Sequence, residues 1–321
     1  MAADSIKIML KKFFSKRKQN QTQSSTPALS SAVKQSIFNF LGARGLPTMP
    51  GAAQKAFELS INPQAEARDF IEVIQGDEAL SARVMKIANS VYFDRGKRSE
   101  TIEESILVIG LSELRSLLGA TTLTDLFPSK HPARRQFWAN DIATALTAKI
   151  LSQKLLPEKT EIAFMAGLMH DIGKLLLLQR APEQYEKVLE KVKSKGIEFH
   201  KAEAEIFVFD HCEVGQLIGQ QWNFSEELIN SIRCHHRPWT PEDLEKKTTP
   251  TLAQIVKVSD QIAHALGLGL DPEYGKLKRN YEALLNPSWH CLAVPEGEQK
   301  TLLDLVSSTF TKESEIGRAH V

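Results

Sequence analysis

Apolar residues recur along this chain at steps of three and four. Leu80, Val84, Ile87 and Val91 follow that rhythm, as do Leu252, Ile255, Ile262 and Leu266, and Ile142, Leu146 and Ile150 step by four. This is the period of a helix that buries one face. Strand-like alternation of β-branched residues is scarce, and no Asn-Gly hairpin turn occurs. Breakers separate the periodic runs at Pro47 with Pro50, Asn62-Pro63, Gly76, Gly96, Gly110, Pro128 with Pro132, Pro157, Pro182, Gly196, Pro238 with Pro241, and Pro272. The pattern predicts an all-α protein of many short and medium helices with no internal repeat.

The stretch 127–135 holds Pro128, Pro132 and two arginines between apolar helical runs, and divides an N-terminal lobe (36–126) from a C-terminal lobe (136–267). Residues 268–312 read as a helical extension. Residues 1–35 form a basic flexible tail. Within it, Ile6, Ile8, Leu10, Phe13 and Phe14 interleave with Lys7, Lys11, Lys12, Lys16, Arg17 and Lys18. A short basic amphipathic segment of this kind makes weak contact with anionic membranes; a solvated tail is the blander expectation. Residues 313–321 read as a non-native end, because Glu315-Ile316-Gly317-Arg318-Ala319-His320-Val321 is what a common sequencing adapter encodes when translated.

Composition narrows the class. Of 321 residues, 42% are hydrophobic and 25% charged, ordinary for a soluble globular chain. No apolar run approaches the ~18 residues of a spanning helix. The formal net charge of +1, with no clustered Arg or Asn face, speaks against a nucleic-acid partner. Cys212, Cys234 and Cys291 are three in number and form no CxxC pair, so neither a disulfide framework nor a zinc ribbon is expected. The N-terminus lacks the apolar core of a secretory signal, and a cytoplasmic protein, membrane-peripheral if residues 6–18 engage lipid, is the expectation.

The strongest local signal is Gly167-Leu168-Met169-His170-Asp171-Ile172-Gly173-Lys174, an adjacent His-Asp pair inside an apolar helical run. Imidazole and carboxylate both ligate divalent metals. His211 follows Phe209-Asp210, His235 and His236 close another run, and Asp260 shares a helix face with Val256 and Ala263. A carboxylate on such a packed face needs a partner. The order His-Asp, His, His-His, Asp on successive helices is a metal-site pattern. The bland alternative is a set of hydrogen-bonded core histidines. Lys174, one turn after His170, either touches a phosphate as a point charge or is a solvated lysine at a helix end, the latter being preferred.

Taken together these segments resemble the HDOD family, a branch of the HD superfamily of metal-dependent phosphohydrolases. The resemblance is carried by Leu46-Pro47-Thr48-Met49-Pro50, Asp77-Glu78-Ala79-Leu80-Ser81-Ala82-Arg83-Val84, Ile87-Ala88-Asn89-Ser90, Ile109-Gly110-Leu111, Leu114-Arg115, Phe137-Trp138, the His170-Asp171 segment, Phe209-Asp210-His211 with Glu213-Val214-Gly215, and Ile232 with His235-His236. It implies a two-lobed all-α fold with an HD-like C-terminal lobe. It also implies a non-catalytic bacterial regulatory role through signalling proteins: response regulators, cyclic-dinucleotide enzymes or kinases. By position, the superfamily's metal ligands fall on Asn140, His170, Asp171 and Asp260, and the second-metal positions of the HD-GYP phosphodiesterases on His211 and His235. The metal so implied is iron, manganese or zinc; in an active enzyme Asp171 and Lys174 would be the catalytic groups.

Two departures weigh against catalysis. Asn140 stands where a His is expected, and an amide is a poor ligand for a transition metal. Its neighbour Asp141 points about 100° away on an ideal helix. No Gly-Tyr-Pro loop follows His235-His236, where the chain reads Arg237-Pro238-Trp239. The alternative reading is a nucleotide or cyclic-dinucleotide phosphodiesterase with a degraded metal site.

Overall fold

Polar side chains set where several helices begin in this computed structural model. It describes residues 26–318 except 50, 63, 91, 92, 94–97 and 246–248, with side chains of all but 121–125 and 313–318. The amphipathic segment at 6–18 lies outside the described residues. The helices are α1 (Ser31–Leu41), α2 (Gly51–Ile61), α3 (Ala67–Gln75), α4 (Glu78–Ala88), α5 (Ile102–Ile109), α6 (Leu111–Leu126), α7 (Ala133–Leu155), α8 (Thr160–Met169) and α9 (Ile172–Arg180). They continue with α10 (Pro182–Lys195), α11 (Phe199–Phe207), α12 (His211–Gln221), α13 (Glu226–Cys234), α14 (Pro241–Glu245), α15 (Leu252–Leu266), α16 (Gly275–Cys291) and α17 (Glu296–Arg318). No strand occurs among the described residues.

Asp77 accepts from the Leu80 amide at the start of α4, and Thr101 from the Glu104 amide at the start of α5. Asp210 with Glu213, and Thr251 with Gln254, form reciprocal capping boxes on α12 and α15. These two boxes matter for function, because they fix the helices that carry His211 and Asp260.

The buried apolar side chains fall into two clusters. The smaller is drawn from α2 to α6 and the α2–α3 connection and includes Phe70, Ile74, Val84, Ile106 and Leu114. The larger spans α7 to α13 and α15 to α17. It also takes Ile37 and Leu41 of α1. The Phe40 ring meets Phe207 and Phe209 edge-on, with centroids 5.5 and 5.6 Å apart. The extension after α15 is integral to this core: Tyr274, Leu277, Tyr281 and Trp289 are all buried in it. Among the described residues, no helix is long and apolar enough to cross a membrane.

Glycines permit the close approaches that bring the conspicuous residues together. A Cβ on Gly173 of α9 would lie 2.0 Å from the His211 carbonyl oxygen and 2.8 Å from the Gly215 nitrogen of α12. A Cβ on Gly167 of α8 would lie 2.8 Å from Cα of Ala145 on α7. Backbone atoms cannot yield as a side-chain tip can, so α9 rests on α12 and α8 on α7 only because these positions lack a side chain.

Candidate metal centre

The apolar run around the His-Asp pair is two helices, not one. Met169 ends α8, Ile172 begins α9, and His170-Asp171 form the turn between them. The Asp171 carbonyl accepts from the Lys174 and Leu175 amides of α9, and its carboxylate is buried in the core. His211 is the first residue of α12, His235 follows the last residue of α13, Asp260 lies mid-way along α15, and Asn140 and Asp141 lie within α7. The α8–α9 turn, two helix ends and two helix faces thus converge.

The distances are short. Nε2 of His170 lies 3.4 Å from Asp171 Oδ2 and 3.5 Å from Asp260 Oδ1. Nε2 of His211 lies 3.0 Å from Asp171 Oδ1 and 3.3 Å from His235 Nε2, which is itself 3.7 Å from Asp171 Oδ1. All five side chains are buried. Each imidazole has its Nδ1 held by an acceptor: His170 by the Gly167 carbonyl at 2.7 Å, His235 by the Ile232 carbonyl at 2.8 Å, and His211 by Glu203 Oε2 at 2.6 Å. Every Nε2 is thereby turned toward Asp171 or Asp260. Outer-shell acceptors orient ligating histidines in this same way.

Three participants, Glu203, Tyr185 and His264, were not singled out from sequence. Glu203 on α11 anchors His211 and accepts from the Tyr185 hydroxyl at 2.5 Å. His264, one turn after Asp260 on α15, lies 3.2 Å from Asp260 Oδ1. The four-residue step made His264 findable. Glu203 and Tyr185 have no local signal, being 8 and 26 positions from His211 in a chain that folds back on itself. Asp141 is fully buried and neither of its oxygens has a hydrogen-bond partner. Asn140 donates to the Leu268 carbonyl at 3.4 Å, leaving its own oxygen unpartnered.

Lys174 departs from the solvated helix-end lysine expected of it. It is buried, its ammonium pairs with Asp171, and it lies 4.5 Å from the Phe199 ring centroid and 5.4 Å from that of Phe137. This is a cation caged by two aromatic faces.

Burial and charge together set the protonation states. Burial alone would raise the Asp171 carboxyl, but His170, Lys174 and His211 hold it well below the usual range. Burial likewise opposes ionisation of Asp260 and Glu203, yet His264 and His170 lower the former and His211 and Lys174 the latter. Burial would lower His170, but Asp171, Asp260 and Asp141 lift it to about 8. His211 is raised well above normal against burial, by Glu203 and Asp171. His235 is pushed well below, by burial and by its cationic neighbours His170 and His211. Three anions, Asp171, Asp260 and Glu203, therefore face three cations, Lys174, His170 and His211. Burial pushes the Cys212 thiol up to about 12, which makes it an inert structural residue.

Asp141 is the odd group, raised to about 7 by burial and by Asp171. A carboxyl raised in the folded state favours folding in its protonated form, so stability falls as pH rises from the unfolded value near 4 through about 7. Asp141→Asn is expected to be nearly neutral at pH 4 and to stabilise the metal-free protein at pH 8. The displacement from 3.8 to about 7 sets a ceiling of about 4 kcal/mol on the gain. Denaturant melts in a chelator at both pH values check this; an equal effect at the two would dismiss Asp141 as the titrating group.

The donor set fits a divalent ion. His170 Nε2 is buried, forms no hydrogen bond, and faces Asp171 Oδ2 at 3.4 Å and Asp260 Oδ1 at 3.5 Å. The potential ligand atoms of His170, Asp171 and His235 lie within 4.8 Å of one another. Histidine and carboxylate suit zinc, iron or manganese. An ion would have to displace the protons on His170 and His211.

An HDOD domain model matches residues 46–238. The chain belongs to the HDOD family. An uncharacterised protein of Treponema pallidum is 30% identical over 201 residues, covering 62% of this HDOD chain, which spans only 38% of that protein's length. An HDOD domain protein of unknown function from Geobacter sulfurreducens superposes with a TM-score of 0.62 at 22% identity, covering 85% of this chain and 96% of that one. A Shewanella amazonensis protein with the provisional description of a phosphohydrolase gives 0.64 at 23%, covering 91% and 99%. These two likenesses show the HDOD fold.

Proposed function

We propose that this HDOD protein is a non-catalytic signal-transduction module that acts through contacts with other signalling proteins. Response regulators, cyclic-dinucleotide enzymes and kinases are the partner classes. The observation that carries this reading is the closure of the centre. Its His and Asp side chains are all buried, and the cavity beside them, lined by Asn140, Lys174, Phe199 and His264, measures about 10 Å³. That is the scale of one water molecule and excludes a nucleotide. The centre also balances its own charge without an added ion, through Lys174 and two protonated histidines.

The second reading is a metal-dependent phosphohydrolase. It rests on the inward-facing Nε2 atoms, a feature that hydrogen-bonded core histidines do not require. An ion held by His170, Asp171, His211, His235 and Asp260 would supply a Lewis acid and an activated water. Within that scheme Asp171 would orient His211 and His235, and the Lys174 ammonium would neutralise charge beside Asp171.

The discriminating experiment incubates nucleotides and cyclic dinucleotides with the protein supplied with iron, manganese or zinc, alongside Asp171→Ala. The expected result is no turnover above the buffer rate for either protein. Turnover by the wild type that Asp171→Ala abolishes would overturn the regulatory reading and establish the enzymatic one.

A further inference from the structure

We propose that Glu198, His200 and His236 form a second divalent-metal site at the rim of the buried centre. Glu198 immediately precedes α11, His200 lies in its first turn, and His236 follows α13. Glu198 and His200 lie outside the central donor set and fall on no segment that marks the family, whereas His236 is shared, its ligand atom also lying within 4.8 Å of those of His211, Cys212 and His235.

The three side chains aim their donors at one spot. Nδ1 of His200 and Nδ1 of His236 each lie 3.9 Å from the same Glu198 oxygen, Oε2. All three ligand atoms fall within 4.8 Å of one another. The two imidazoles stack, with centroids 4.3 Å apart and planes at 21°, so one ring must rotate out of the stack for both in-plane lone pairs to meet one ion. A separation of 3.9 Å is too long for a hydrogen bond. It is close to what an ion requires: ligand atoms around a tetrahedral zinc at ~2.0–2.1 Å sit ~3.3 Å apart. Closing each imidazole–carboxylate pair by about half an ångström, with one ring turned out of the stack, completes the site within the reach of side-chain torsions.

Two independent features favour an ion over an idle cluster. Nδ1 of His200 is buried and has no hydrogen-bond partner among the described residues. A buried polar atom left unpaired is costly, and a metal would satisfy it. The other oxygen of Glu198, Oε1, is tied to the Lys201 ammonium, so the carboxylate is already rotated with Oε2 toward the imidazoles. The rim also differs from the centre in access. Side-chain exposure is 18% for Glu198, 17% for His200 and 11% for His236, against 0% for His170 and His211. An ion can enter from solvent and keep water on its open positions. Two imidazoles and a carboxylate with an open position are the donor set of zinc.

An ion there would clip the start of α11 to the end of α13. Phe199, between Glu198 and His200, is one of the two rings caging Lys174. The clip would therefore hold the wall of the buried centre in place.

Cobalt(II) replaces zinc in such sites and reports its geometry by visible absorption. The full chain is titrated with cobalt, and bound metal is counted by equilibrium dialysis, for wild type, His200→Ala, Glu198→Gln and Asp171→Asn. The expected result is that His200→Ala and Glu198→Gln each lose one bound equivalent, or bind it at least tenfold more weakly, while Asp171→Asn retains it. Equal stoichiometry and affinity in wild type and His200→Ala would overturn the proposal. Should His200→Ala lose helical circular dichroism, Glu198→Gln, which keeps the side-chain volume, decides the matter alone. The readout is bound metal, so it stands or falls separately from the turnover assay on the central site.

Discussion

Arg115→Ala is expected to destabilise the protein by about 4 kcal/mol and to release the α2–α6 cluster first. Its guanidinium is buried and donates to four backbone carbonyls: Leu59 at 2.9 Å, Ser60 at 3.3 Å, Asn62 at 2.6 Å and Ala65 at 2.7 Å. Leu59 and Ser60 lie in the last turn of α2, whose carbonyls have no partner inside the helix. A cation there also meets the negative end of the helix dipole. The same guanidinium packs 5.2 Å from the Phe70 ring centroid. One side chain thus closes the end of α2, the connection to α3 and the face of α3. Its removal strands several buried acceptors, each costing ~1–3 kcal/mol less whatever water recovers, hence a total of about 4. Arg115→Lys restores little, because an ammonium cannot span four carbonyls as a planar fork does. Guanidinium denaturation gives the free energy, and hydrogen exchange of the α2 and α3 amides shows where the protein opens. A loss below about 1 kcal/mol would show that water serves these carbonyls equally well.

Lys174→Met is expected to weaken the metal-free protein by about 3–5 kcal/mol, the usual consequence of removing one member of a buried ion pair. The methionine fills the space between Phe137 and Phe199 but leaves Asp171 without its ammonium. The same change is expected to strengthen divalent-metal binding at the central site at least tenfold. Lys174 and an ion compete for Asp171, and deleting the lysine removes both the occupant and its charge. The pair of effects is opposite in sign, so misfolding alone cannot produce it. Melting temperature in a chelator reads the first. Calorimetric titration with manganese, in a His200→Ala background so that the rim does not contribute, reads the second. Unchanged affinity would mean that Lys174 does not compete with a metal there.

The helical architecture was legible because it follows from local rules. Apolar steps of three and four, the Asp-x-x-Glu start of α12 and the Thr-x-x-Gln start of α15 require only residues within a turn of one another. The residues His170, Asp171, His211, His235 and Asp260 were legible as a set because their residue types are unusual inside apolar runs. A buried charge on a packed face implies a partner even before the partner is known.

What lay beyond the sequence was decided by which helices touch. The His-Asp run is two helices because Asp171 turns its carboxylate into the core and lets its carbonyl start α9. Lys174 looked like a helix-end lysine, since nothing local announces that Phe137, 37 positions earlier, and Phe199, 25 positions later, enclose it. Glu203 and Tyr185 share the same reason, and so do Glu198, His200 and His236, which meet only because the start of α11 lies beside the end of α13. Local periodicity depends on neighbours along the chain and can be read there. Protonation, charge balance and the convergence of ligand atoms depend on distances between segments far apart in sequence, and those exist only once Gly167 and Gly173 have let the helices close to backbone contact.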